Sequence, residues 1–104
     1  TRLFCDMENR TPHCRLTDIK RLISQRKVRA TMSALAGGAA LGMEFSEMLG
    51  VIATLKAVDF HKSMTTHDDH RVWQDVYRPM TRLGPVYLKL TVIDDVLIVS
   101  FKAR

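Results

Sequence analysis

Cysteine is scarce: the 104 residues hold two, Cys5 and Cys14. A pair so few and so close makes a poor disulfide framework, and the opening Thr-Arg-Leu-Phe-Cys-Asp lacks the apolar core of a secretory signal. A reducing cytoplasmic setting with unpaired bystander thiols is therefore expected. Proline is sparse as well, at three residues, while 46% of the chain is hydrophobic, which excludes disorder along most of its length. No long apolar run exists. The longest charge-free stretch, residues 30–43, falls short of the about 20 apolar residues that span a bilayer and is rich in Gly and Ala, so no transmembrane helix is expected. Internal repeats and linkers are missing too. So is any Ser/His/Asp, Cys/His or paired-Glu spacing, which leaves hydrolase chemistry of those kinds without support.

What is present is positive charge: 16 Lys and Arg against 11 Asp and Glu, a net charge of +5. Such an excess favours polyanionic partners but does not by itself distinguish nucleic acid from none. The cations are scattered along the chain, Arg21, Lys27, Arg29, Arg71, Arg78 and Lys102 among them forming no single run, so only folding can gather them into a patch. Residues 1–9 are polar and unpatterned and are expected to be a flexible N-terminal segment, with Met7 a candidate natural start. Residues 10–104 are expected to form a single domain.

Leu16, Ile19, Leu22 and Ile23 recur at helical spacing, predicting a helix over 17–25 capped by Thr17. A second, short helix is expected over 31–36, after an extended link at Val28 and Arg29, with Gly37 and Gly38 ending it. A third is expected from an N-cap at Ser46 to about Lys56, with Met48, Ile52 and Leu55 on one face. Beyond Asp59 the period becomes alternating, predicting strands over 60–66, 72–78, 86–93 and 96–102. Helices followed by consecutive strands imply an α+β two-layer sandwich, the N-terminal helices packed on one face of a mainly antiparallel sheet.

The last hairpin offers a register. With Asp94 and Asp95 as a two-residue loop, Leu88 falls opposite Phe101, Leu90 opposite Val99 and Val92 opposite Leu97, an apolar face expected under the helices. The other face then sets Tyr87 opposite Lys102, Lys89 opposite Ser100 and Thr91 opposite Ile98. Tyr87 and Lys102 should have β-carbons about 5 Å apart, which suits either ordinary cross-strand packing or a functional pair. Lys62 and Gln74 are candidates to join them, but their two strands do not decide their own register: Val72 and Val76 share a face with Gln74 while Trp73 and Tyr77 share the other.

His67, Asp68, Asp69 and His70 form the one cluster of metal-ligand types, in a stretch expected to turn; the turn reading is preferred and no metal or cofactor is assigned. His61 should face away from Lys62, as a buried or half-exposed structural histidine.

Longer blocks carry more. Residues 10–13 (Arg-Thr-Pro-His), 59–66 (Asp-Phe-His-Lys-Ser-Met-Thr-Thr), 73–79 (Trp-Gln-Asp-Val-Tyr-Arg-Pro), 86–89 (Val-Tyr-Leu-Lys), 91–93 (Thr-Val-Ile) and 95–102 (Asp-Val-Leu-Ile-Val-Ser-Phe-Lys) stand collinear over nearly the whole chain. Together they resemble the MqsR toxin family. The resemblance implies a RelE-like ribonuclease fold, ribosome-independent cleavage of single-stranded mRNA at GC-containing triplets such as GCU, and a monomer when free. It also implies a cognate antitoxin, MqsA-like, which binds zinc in its own N-terminal domain and DNA through a helix-turn-helix. The family's active-site positions match Lys62, Gln74, Tyr87 and Lys102. Two departures stand out: His61 where relatives usually carry Tyr, and Asp94 where a His is sometimes found.

Metal-independent RNA cleavage needs a base for the 2′-hydroxyl proton, cations for the phosphate and an acid for the leaving 5′-oxygen, giving cyclic or 3′-phosphate and 5′-hydroxyl ends. A lysine acts as base only where neighbouring cations or burial lower its pKa. Lys62 or Lys102 is the expected base, Tyr87 the acid or hydrogen-bond donor, and Gln74 the holder of a phosphate or base edge. Arg78 and Lys89 are expected to contact RNA. Two other classes remain: a non-catalytic nucleic-acid-binding regulator, and an interaction protein pairing through an exposed strand edge.

Overall fold

The computed structural model describes residues 8–66 and 71–104. The expected turn at 67–70, with its metal-ligand types, lies outside them, as does most of the N-terminal segment. Among the described residues, strands β1 (Glu8–Asn9), β2 (Val28–Ala30), β3 (Phe60–Thr65), β4 (Trp73–Tyr77), β6 (Gly84–Val92) and β7 (Val96–Ala103) form a sheet in the order β1-β3-β4-β6-β7-β2. A short β5 (Met80–Thr81) folds back on the start of β6. All pairings are antiparallel except β2 with β7. Helices α1 (Leu16–Ser24), α2 (Met32–Ala40) and α3 (Phe45–Ala53) pack on one face, the α+β arrangement expected.

The helix starts differ from expectation for local reasons. Helix α1 begins one residue before Thr17, after Arg15, whose carbonyl accepts from the Asp18 and Ile19 amides, and it buries Ile19, Leu22 and Ile23. In α3 the N-cap is Glu44, not Ser46; its amide donates to the Glu47 carboxylate at 3.2 Å, so an acidic residue closes the first turn. Helix α2 does start as expected, with the Thr31 hydroxyl accepting from the Ala34 amide, but it runs through Gly37 and Gly38 to Ala40. Those glycines are contact points rather than a stop. A β-carbon on Gly37 would lie 1.8 Å from the Phe101 carbonyl oxygen, and one on Gly38 2.5 Å from the Met48 sulfur. Lacking side chains, they let α2 lie directly against β7 and α3.

The core joins Ile19, Met48, Ile52 and Leu55 from the helical side to Tyr77, Val86, Leu88, Leu90, Val96, Ile98 and Phe101 from the sheet. Burying a side chain of this size contributes about 1.5–3 kcal/mol, so this face sets which side of each strand points inward.

The β6–β7 hairpin corrects the sequence register in one half and keeps it in the other. Its loop holds three residues, Ile93, Asp94 and Asp95, so Val92 pairs with Val96, Thr91 with Leu97 and Leu90 with Ile98. A bulge then places Val99 as the extra residue, restoring Lys89 opposite Ser100, Leu88 opposite Phe101 and Tyr87 opposite Lys102. The inward set on β7 is therefore Val96, Ile98 and Phe101, while Leu97 and Val99 are half-buried. Two contacts explain the change. Asp95 receives two hydrogen bonds from the Arg29 guanidinium, at 3.0 and 3.2 Å, which draws it into the loop. Thr31 donates from its amide to the Ile98 carbonyl and from its hydroxyl to the Val99 carbonyl. Two consecutive carbonyls reach one neighbour only where the alternation of the strand is broken.

Candidate active site

The face of the sheet away from the helices is where the expected residues meet. Tyr77 is fully buried in the core and pairs with Leu88, so the alternate residues Val76 and Gln74 belong to the opposite face. Val76 pairs with Lys89 on one side and Lys62 on the other, and Gln74 pairs with Met64. One row across four strands therefore reads Lys62, Val76, Lys89, Ser100, at about 4.8 Å per strand. Tyr87 and Lys102 sit one step along β6 and β7, with the Lys102 ammonium 5.4 Å from the centre of the Tyr87 ring, a cation–π contact. Lys62, Gln74, Tyr87 and Lys89 are half-buried, whereas Lys102 and Arg78 are exposed. Arg78 follows directly on β4, its amide bonded to the Asp59 carbonyl at 2.8 Å.

All six residues singled out in the sequence thus lie on this face or at its rim. Lys89 is central to them in a way counting one hairpin did not disclose. Partial burial holds its ammonium below the ordinary lysine range, and the charges of Lys102 and Lys62 add to that effect. Its environment depends on the registers of β3 and β4, which the sequence pattern left open. His61 is exposed beside a bulge between Phe60 and Lys62, rather than buried or half-exposed.

Asp75 is a residue that sequence reasoning missed. It points to the helix side, is 3% exposed, and its two carboxylate oxygens accept from the His13 and Cys14 amides, each at 3.0 Å. His13 also stacks on Trp73, with ring centroids 5.6 Å apart. These contacts anchor the segment before α1 to β4, the strand that carries Gln74. An acid in the middle of an otherwise half-apolar strand was the signal. Burial, with Asp75 and Cys14 nearby, raises the Tyr77 hydroxyl well above the ordinary phenol range, so that group stays neutral in the core.

What this face can do chemically is bind a polyanion and move protons at it: lysines surround a phenol and an amide on an uncovered sheet. Among the described residues no three His, Cys, Asp or Glu side chains gather as metal ligands.

Comparison with known proteins agrees with the architecture. Residues 11–103 match the family model described as "Motility quorum-sensing regulator, toxin of MqsA". The chain is also 56% identical over 98 residues to the mRNA interferase toxin MqsR of Escherichia coli (strain K12), an alignment covering 94% of this chain and 100% of that relative. With the match running through every strand of the lysine-bearing face from β3 to β7, the chain belongs to the MqsR toxin family.

Proposed function

We propose that this chain is the toxin of a toxin–antitoxin pair and an endoribonuclease that cuts single-stranded mRNA in the cytoplasm, at GC-containing triplets such as GCU, without a ribosome or a metal. The observation that carries the reading is the convergence of Lys62, Gln74, Tyr87, Lys89 and Lys102 on one face free of helices. Lysines on such a face neutralise the scissile phosphate, and a lysine takes the 2′-hydroxyl proton. Tyr87 donates to the leaving 5′-oxygen, Gln74 holds a phosphate oxygen or base edge, and Arg78 at the rim contacts flanking phosphate. The new O2′–P bond forms as the P–O5′ bond breaks, leaving a 2′,3′-cyclic phosphate and a 5′-hydroxyl. The family description "toxin of MqsA" supports an antitoxin partner of the MqsA kind. Zinc and DNA binding belong to that partner, and the toxin is a monomer when free.

The test is incubation of the purified chain with a defined single-stranded RNA carrying GCU and other triplets, in EDTA, with the ends read at each cut. Cuts at GC-containing triplets with 5′-hydroxyl ends are expected. Intact RNA from folded protein, with salt-sensitive binding, would favour the alternative of a non-catalytic nucleic-acid-binding regulator.

A further inference from the structure

On the ribonuclease reading above, we infer that Lys89 is the general base: its Nζ takes the proton of the attacking 2′-hydroxyl, while Lys62 and Lys102 stay charged and hold the phosphate. Lys89 stands in the middle of the face, two strands from Lys62 and diagonal to Lys102, with Val76 and Ser100 directly beside it. An apolar neighbour on β4 and partial burial strip water from its stem, and cations on both flanks make a third positive charge unfavourable there. Lys102 is the more exposed lysine and is engaged over the Tyr87 ring.

The charged and titratable groups around it are Lys62 from β3, Lys102 from β7, Tyr87 on its own strand and Arg78 after β4. Lys102 and Lys62 push Lys89 toward its neutral, proton-accepting form. Tyr87, two residues along the same strand and so on the same face, stands about 7 Å away along the backbone, room for a phosphate between base and acid. In the step itself the proton passes from O2′ to Lys89, O2′ bonds to phosphorus, and the P–O5′ bond breaks. The departing O5′ takes the Tyr87 proton. Water returns both residues to their starting states.

The experiment is a single-turnover pH–rate profile on a cleavable RNA for the wild type, Lys89→Arg and Lys102→Gln. Affinity is measured in parallel on the same RNA with a 2′-deoxy nucleotide at the cut. Arginine keeps the charge and cannot release its proton. Lys89→Arg should therefore bind within about threefold of wild type yet cleave on the order of 10²-fold more slowly. Lys102→Gln removes a flanking cation, so the pH at which its rate is half-maximal should move upward. Lys89→Arg cleaving within threefold of wild type would overturn the inference and leave Lys89 a phosphate contact. An unmoved half-maximal pH in Lys102→Gln would also count against it. Failure of the wild type to cleave at all would instead overturn the ribonuclease reading.

Discussion

Lys102 rests over the ring of Tyr87, its ammonium 5.4 Å from the ring centre, although the loop joining their strands is one residue longer than a tight two-residue turn. The extra residue in the loop is offset by Val99, the bulge residue of β7, so the two side chains still stand opposite each other. Packing and chemistry at this pair can be separated by substitution.

Tyr87→Phe keeps the ring under the Lys102 ammonium and removes only the hydroxyl. Stability should stay within about 0.5 kcal/mol of wild type in denaturant titration, while cleavage falls on the order of 10²-fold. Tyr87→Ala should lose activity and stability together. Equal cleavage by Tyr87→Phe and wild type would remove the hydroxyl from the reaction.

Helix α2 lies on β7 because Gly37 carries no β-carbon. Gly37→Ala drives a methyl group into the Phe101 carbonyl, and because the obstacle is backbone on both sides it should cost about 3 kcal/mol or more. Gly50→Ala on α3, where an added β-carbon meets nothing within 4 Å, should instead stabilise by about 0.5–1 kcal/mol. Thermal unfolding of the two variants should move the midpoint in opposite directions.

Asp75 ties the chain before α1 to β4. Asp75→Ala leaves the His13 and Cys14 amides without their acceptor and should destabilise the fold by about 2–3 kcal/mol. Faster hydrogen exchange at those two amides is the direct check.

Lys89 has a pH signature in stability as well as in rate. Its folded pKa is lowered, so between that value and the unfolded lysine value of about 10 the unfolded chain binds more protons, and stability from this group rises with pH. Below the folded value the charged ammonium is a net cost. Lys89→Met should therefore be more stable than wild type near neutrality, with the advantage shrinking as pH climbs toward 10, followed by thermal midpoints across pH. The function and stability of this position oppose each other.

Much of this was readable from sequence, for physical reasons that can be named. Strong alternation in residues 86–102 sets which residues of β6 face inward, because a one-residue slip would expose Leu88 and Leu90. The α+β class followed from the change of period at Asp59. Other features depend on distant partners. Strand β2 has three residues and finds its parallel neighbour β7 almost 70 positions on, through Thr31, which no local pattern shows. Gly37 and Gly38 resemble a helix stop until the Phe101 backbone and Met48 are placed against them. The face of Gln74 stayed undecided because Asp75 and Trp73, on the helix side, are held by His13 and Cys14 rather than by an apolar core. Tyr87 and Lys102 were legible as neighbours from the hairpin count and, with Lys62 and Gln74, as candidates through the family resemblance; the environment of Lys89 required the register of three strands.

The most direct test of the account is a pair of otherwise identical RNA strands, one all-ribose and one with a single 2′-deoxy nucleotide 5′ to the scissile phosphate of a GCU site, incubated with the wild-type chain in EDTA. Attack by the 2′-hydroxyl predicts cleavage of the first, ending in cyclic phosphate and 5′-hydroxyl, and none at that site in the second. Equal cleavage of both strands, or of neither by folded protein, would contradict it.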